Sequence, residues 1–249
     1  MTALDSEQYK EVERQSWNSV AAAWQKWWKT IERGTEAVSR RLVELAEIKP
    51  GSKVLDIATG IGEPALTAAK RVGKSGHVLA TDISSQMLSF AKQRAISLGL
   101  QDVIEFKEGD AETIYLPPST FEAALCRWGL MLMPDPKAGL SNIYRSLVNA
   151  GHFAAAVWAS PDKVPFLFVP KNTVLKETNS PPPPPGTPGP FSMSDQNSLK
   201  NFYATSGFID PAIERMYVVF DFDSSDDFTT FSIEHGGSYS SKNASRSDK

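Results

Sequence analysis

Only one cysteine and three histidines occur among the 249 residues. A single thiol excludes an internal disulfide framework and any zinc site built from several cysteines, so no metal is expected. Cys126 sits in the apolar run FEAALCR and reads as a small buried side chain rather than a nucleophile. His77 and His152 open predicted strands and His235 begins a polar tail, so all three read as solvated groups and none as a general base. Surplus positive charge is also missing. With a net charge of −3 and a pI near 5.7, the chain has no global basic field to draw it to nucleic acid or acidic lipid. No apolar run reaches the roughly 18 residues of a membrane span, and the opening MTALDSEQYKEVER has acids where a signal peptide is basic and then apolar. A cytoplasmic setting without integral membrane association is therefore expected. What is present is 41% hydrophobic content, enough to fill the core of one large domain with an added cap.

From residue 53 onward, short apolar runs alternate with helical segments, the pattern of a parallel sheet. The predicted strands are 53–58, 77–82, 103–110, 121–127 and 152–158, with a further strand-like run at 213–222. Ser84 is suited to cap a helix whose Met87, Leu88, Ala91, Ala95 and Leu98 share a face, and Gly99 closes it. A second helix is predicted over 136–148, ended by Asn149-Ala150-Gly151. Right-handed crossovers then give an α/β, doubly wound, mostly parallel sheet. Before it, residues 1–47 form an amphipathic helical cap in which Trp17, Val20, Trp24, Trp28 and Ile31 step by three or four. The organisation expected is cap 1–47, core 48–160, proline-rich insert 161–192, a C-terminal part of the core at 193–233, and a disordered polar tail at 234–249.

The stretch VLDIATGIGEPALTAAK combines a strand, a glycine turn and a helix. Gly60, Gly62 and Ala65 fit the G-x-G-x-x-G/A spacing, which brings backbone amides to a ligand at a helix N-terminus. Asp56 and Glu63 discriminate among ligands. At an effective dielectric of about 20, a carboxylate about 4 Å from a phosphate charge is repelled by roughly 4 kcal/mol. S-adenosylmethionine (SAM) has no phosphate and carries a sulfonium and an ammonium, so an acidic turn favours it over a dinucleotide. Pro64 suits the first helical turn, where it needs no N–H.

Ligands of open parallel sheets bind beyond the carboxyl ends of the strands. Asp82 ends the second predicted strand and can accept both ribose hydroxyls, for NAD or for SAM alike. Asp110, at the end of the third, can accept from an adenine amino group, with Met87 as an apolar neighbour of the ring; the alternative is a plain turn residue before Ala111. In VLDIATGIGE, VLATDIS and EGDAE, at these spacings, residues 40–160 resemble the class I SAM-dependent methyltransferases, and most of all the type 11 small-molecule group that includes the ubiquinone/menaquinone-biosynthesis enzymes. The resemblance implies a Rossmann-like fold and SAM as cofactor. It further implies that Asp56, Gly60 and Gly62 hold the methionine portion, Asp82 the ribose, and Asp110 with Ala111 the adenine. Ala58, Ile83 and Met87 complete that set, and Arg127 and Trp128 lie beside the transferable methyl.

Trp17, Trp24, Trp28, Trp128 and Phe166 are expected to wall an apolar pocket for a small quinone-, phenol- or lipid-like acceptor. Nucleic acid is not expected as substrate, because Cys126-Arg127-Trp128-Gly129 stands where nucleobase amino-methyltransferases carry an Asn/Asp-Pro-Pro-aromatic loop. No catalytic residue is assigned; Tyr9, Glu112 or water are the candidates if a base is needed. The chain departs from the group near its end, where only 213–222 offers a closing strand, and an uncovered sheet edge would favour a homodimer. A SAM-fold binding protein and a nicotinamide oxidoreductase are the competing functions.

Overall fold

A computed structural model describes residues 6–184 and 186–235. Its centre is a five-stranded sheet in the order β3-β2-β1-β4-β5, with every pairing parallel: β1 (Lys53–Ile57), β2 (His77–Asp82), β3 (Ile104–Glu108), β4 (Phe121–Arg127) and β5 (Leu147–Ala156). Val54, Leu55 and Ile57 are wholly buried, as a central parallel strand covered on both faces requires. Helices α2 (Ala65–Val72), α3 (Ser85–Ser97) and α4 (Pro136–Ser146) link the strands. Strand order reverses between β1 and β4, so the crevice for a ligand opens at their carboxyl ends. The expected doubly wound α/β fold is the one found.

Local chemistry explains the helix boundaries. The Ser84 hydroxyl accepts the Met87 amide and Asp135 the Ala138 amide, each supplying an orphan donor of a first turn. Pro64 is the residue before α2 rather than part of its first turn. Helix α4 ends at Ser146 and passes straight into β5, two residues earlier than predicted. Asn149-Ala150-Gly151, read as a helix stop, instead forms a bulge: β4 and β5 are in register at Phe121 with Leu147 and again at Ala123 with His152. His152 thus lies within its strand, not at the start.

The cap is one helix of 40 residues, α1 (Ser6–Leu45). It crosses the strand ends in the order of the sheet. Lys10 reaches the loop after β3, Asn18 the loop after β2, and Thr35 and Ser39 the end of β4. Its last turns join the core through Val38, Leu42 and Val43.

Within the insert Pro165–Glu177 forms α5, with Pro170 inside it, and residues 181–184 of the proline run have no regular structure. Two later expectations are corrected. The run 213–222 is not in the sheet; it lies on α1 instead. Glu214 pairs with Arg41, the chain at Val219 and Phe220 crosses Gly34, and Phe222 meets Trp27. A Cβ on Gly34 would sit 2.8 Å from the Val219 carbonyl, so the crossing needs glycine in mid-helix. The second correction concerns the tail. Glu234 and His235 close α7 (Ser225–His235), which follows α6 (Gln196–Thr205); residues 236–249 lie outside the described ones. His235 is not solvated, because its ring stacks on Phe231 at 3.9 Å and meets Trp24 edge-on, and burial pushes it down to about 4. Among the described residues no helix is long and apolar enough to cross a membrane.

Candidate functional site

The turn after β1 carries the local chemistry. Ala58 and Gly60 have φ of 56° and 57°, and Gly62 has 107°, so three residues in five use the left-handed region and fold the chain back sharply. The turn is pinned to β2 from below. Asp82 Oδ2 accepts the Gly60 amide at 2.8 Å and Oδ1 accepts the Ser84 amide at 2.9 Å, so one carboxylate fixes the loops after both strands. The Ile83 amide also lies beside this carboxylate; two oxygens offer about four lone pairs, so acceptor capacity remains. Space lies open above Gly60, with nothing within 4 Å of where a Cβ would stand.

Asp56 is wholly buried in β1, and its Oδ2 accepts the Ala65 amide at 3.0 Å at the start of α2. Its Oδ1 has no partner. The Thr59 hydroxyl lies near the carboxylate but outside hydrogen-bond geometry, and is itself unpartnered. Glu63 is 4% exposed; it accepts from Thr67 at 2.7 Å and lies 3.8 Å from Arg94. Burial pushes Asp56 up to about 7 and Asp82 to about 6, while burial and then the neighbouring Glu32 push Glu63 to about 7.

Their counter-charge is Arg127 at the end of β4. Burial pulls its guanidinium below the usual range, and Glu63, Glu32 and Asp56 pull it back. Arg127 Nη1 donates to Thr35 at 3.0 Å and to Ser39 at 2.7 Å, and the guanidinium lies over the Trp128 ring, which stacks on Trp158. Arg94 makes a second tie, donating to the Ile61 carbonyl at 2.8 Å, pairing with Glu32 at 3.0 Å and lying over Trp28. The acidic turn is therefore bound to the cap by two arginines.

These three acids set a direction for pH dependence. Unfolded, Asp and Glu ionise near 3.9 and 4.3. Folded, the three hold their protons up to about 6 or 7. Across that window the unfolded chain binds fewer protons, so stability falls as pH rises and levels off above about 7. Thermal unfolding at pH 5.5 is expected to have a higher Tm than at pH 8; an equal or lower value would contradict the buried, proton-holding acids.

The remaining sequence candidates fall in separate places. Asp110 is partly exposed; its Oδ1 accepts the Glu112 amide, and its Oδ2 accepts from Thr113 and pairs with Lys10 at 2.8 Å. Glu112 is occupied as well, by Lys10 at 2.6 Å and by the Asp135 amide. Ile83 and Ala111 are partly buried, and Met87 in α3 is buried against Ile61 and the α1 helix. Trp17, Trp24 and Trp28 pack with Ile61, Met87 and Phe90. Phe166 does not join them; it stacks on Phe220 at 4.2 Å in a cluster with Phe222, Phe228 and Phe231. The residues of the envisaged wall thus lie in three places, with Phe166 reaching Trp24 only through Phe231 and His235. Cys126 is buried and pushed up to about 12, an inert thiol. Sequence reasoning missed Lys10, Asn18, Glu32, Thr35, Ser39 and Arg94, all of them links between α1 and the loops.

An all-parallel doubly wound sheet with an acidic glycine turn and a carboxylate at each of the next two strand ends defines a Rossmann-like site for a small charged ligand. Residues 54–151 match the model of the methyltransferase domain. Over 115 residues the chain is 36% identical to the ubiquinone/menaquinone biosynthesis C-methyltransferase UbiE of Stenotrophomonas maltophilia, covering 46% of each protein. The chain thus spans about half the length of the curated relatives it matches. A candidate methyltransferase from Bacillus halodurans superposes with a TM-score of 0.54 at 25% identity, covering 69% of both chains. Phosphoethanolamine N-methyltransferase 2 of Haemonchus contortus, in complex with S-adenosyl-L-methionine, shares the fold with a TM-score of 0.54 at 19% identity, over 86% of this chain and 44% of its own. Residues 54–151 are thus similar to a methyltransferase domain, in a chain that shares its fold with SAM-dependent methyltransferases.

Proposed function

We propose that the chain is an enzyme that moves the methyl group of SAM to a small apolar or aromatic acceptor, of quinone, phenol or lipid type. The observation that carries the cofactor is the pair of buried carboxylates around the Gly60 turn. Asp56 has an orphan acceptor oxygen among the described residues, and Asp82 keeps acceptor capacity beyond its amide donors. A cation and a pair of hydroxyls satisfy these groups, whereas a pyrophosphate would be repelled. In this reading Asp56, Gly60 and Gly62 hold the methionine portion, with Ala58 shaping the turn. Asp82 holds the ribose, and Ile83, Met87, Asp110 and Ala111 border the adenine.

Bound SAM brings its own leaving group, so the protein's work is to align the acceptor and exclude water. In this reading Trp128, held by Arg127 at the end of β4 under α1, lines the space for the acceptor. The quinone-like acceptor draws support from the UbiE relatives and from the tryptophans of α1, Trp17, Trp24 and Trp28, which leave partly exposed apolar surface beside Ile61.

Calorimetric titration with SAM, S-adenosylhomocysteine and NADH tests the reading. Both sulfur ligands are expected to bind and NADH is not. A cation favours the ionised acids, so binding should release protons and tighten as pH rises from 6 to 8, given their values of about 6 to 7. Binding of NADH alone would overturn it.

A further inference from the structure

The run 213–222 has the alternation of a strand without a strand's neighbours. Between its contacts with Arg41 and Trp27, eight steps of chain from Glu214 to Phe222 cover fourteen residues of helix, about 21 Å at 1.5 Å per residue. That is about 2.6 Å per step, far more drawn out than a helix and short of a full strand. Val218, Phe220 and Phe222 turn inward, to the core, to Phe166 and to Trp27. Their neighbours turn outward: Tyr217 is 95% exposed and Val219 66%, and Arg215 and Asp221 are exposed beside them. Residues 209 to 223 make no backbone hydrogen bond among the described residues. An apolar, unpaired strand on a protein surface is a template for strand addition.

We propose that residues 214–222 form a dimerisation strand, pairing antiparallel with the same segment of a second copy about a two-fold axis at Val218. A two-fold interface must be complementary to itself. The sequence ERMYVVFDF meets this condition around Val218. Tyr217 stands opposite Val219 of the partner subunit, an aromatic and β-branched pair of the kind that stabilises sheets. Arg215 stands opposite Asp221 of the partner subunit, and symmetry repeats each contact. Neither of these charges has an ion-pair partner among the described residues of its own chain. Backbone groups along the outer edge of the segment pair across the axis, the Val219 carbonyl against Gly34 excepted, and Tyr217 and Val219 partly cover one another.

The test is a charge swap in the full chain, read by sedimentation velocity across a concentration series. The native protein is expected to be a dimer in the micromolar range. Arg215→Asp faces acid with acid and Asp221→Arg faces base with base, each twice, so each raises the dimer Kd by roughly tenfold or more. The double variant restores opposite charges and the native Kd. Both side chains are exposed, so Tm of the dissociated protein is expected to be unchanged; this separates loss of pairing from loss of fold. A native protein that stays monomeric, a dimer indifferent to both single changes, or a double variant that fails to recover would each overturn the pairing. Indifference to both would move the interface elsewhere, with the free edge of β5 the next surface to vary.

Discussion

Asp82→Ala is expected to weaken SAM binding by about a hundredfold or more, with the fold intact by circular dichroism. Hydrogen bonds to a charged group contribute about 1.5–3 kcal/mol each, and two of them are at stake at the ribose. The same side chain fixes the Gly60 and Ser84 amides, so its loss also loosens the turn that receives the rest of the ligand. Gly60→Val attacks the turn by another route. Space is open above Gly60, so no neighbour is struck; the cost arises because a β-branched residue is forced to φ near 57°. The chain relieves that strain by rotating the Gly60 amide away from Asp82. Titration calorimetry with both variants decides the matter, and unchanged affinity in both would sink the site assignment.

Arg127→Met is expected to cost about 3–5 kcal/mol of stability, the usual consequence of breaking a buried charge network from one side. Asp56 and Glu63 lose their cation, and Thr35 and Ser39 on α1 lose their donor. For a chain of this size that is a fall in Tm of roughly 10 °C. Without the arginine the acids hold their protons more tightly, so the decline of stability between pH 5.5 and 8 should steepen. Arg127→Lys keeps the charge but not the fork, and should fall between. A methionine variant within about 1 kcal/mol of the native protein would show that the network contributes little.

The sheet was legible because its strands are buried on both faces and therefore spell themselves as apolar runs between turn residues; Val54, Leu55 and Ile57 are the clearest case. The cofactor turn was legible through glycine, which marks backbone that other residues avoid. What stayed hidden was lateral. The alternation in 213–222 encodes one buried face, and α1 supplies that face as well as a sheet would, so the pattern cannot name its neighbour. The bulge at 148–151 looked like a helix stop because α4 enters β5 with no breaker between them. Lys10, Thr35 and Ser39 are buried polar residues on a long helix, and their partners stand 88 to 102 residues away. Thr35 and Ser39, four apart on an otherwise apolar face, were the one visible sign that a polar partner waited there.

The length of α1 makes it a lever. One bearing is where Thr35 and Ser39 seat on Arg127, and Lys10 is 25 residues away at the other end of the rod, about 37 Å along a helix. A rigid rod pivoting there by only about 10° would carry Lys10 some 6 Å, far beyond the reach of a salt bridge. Any tilt at the β4 end would be magnified at the Asp110 end, and the ties of Lys10, Asn18 and Glu32 along the rod are what hold it still. The gear ratio is written into the number of helical turns between them.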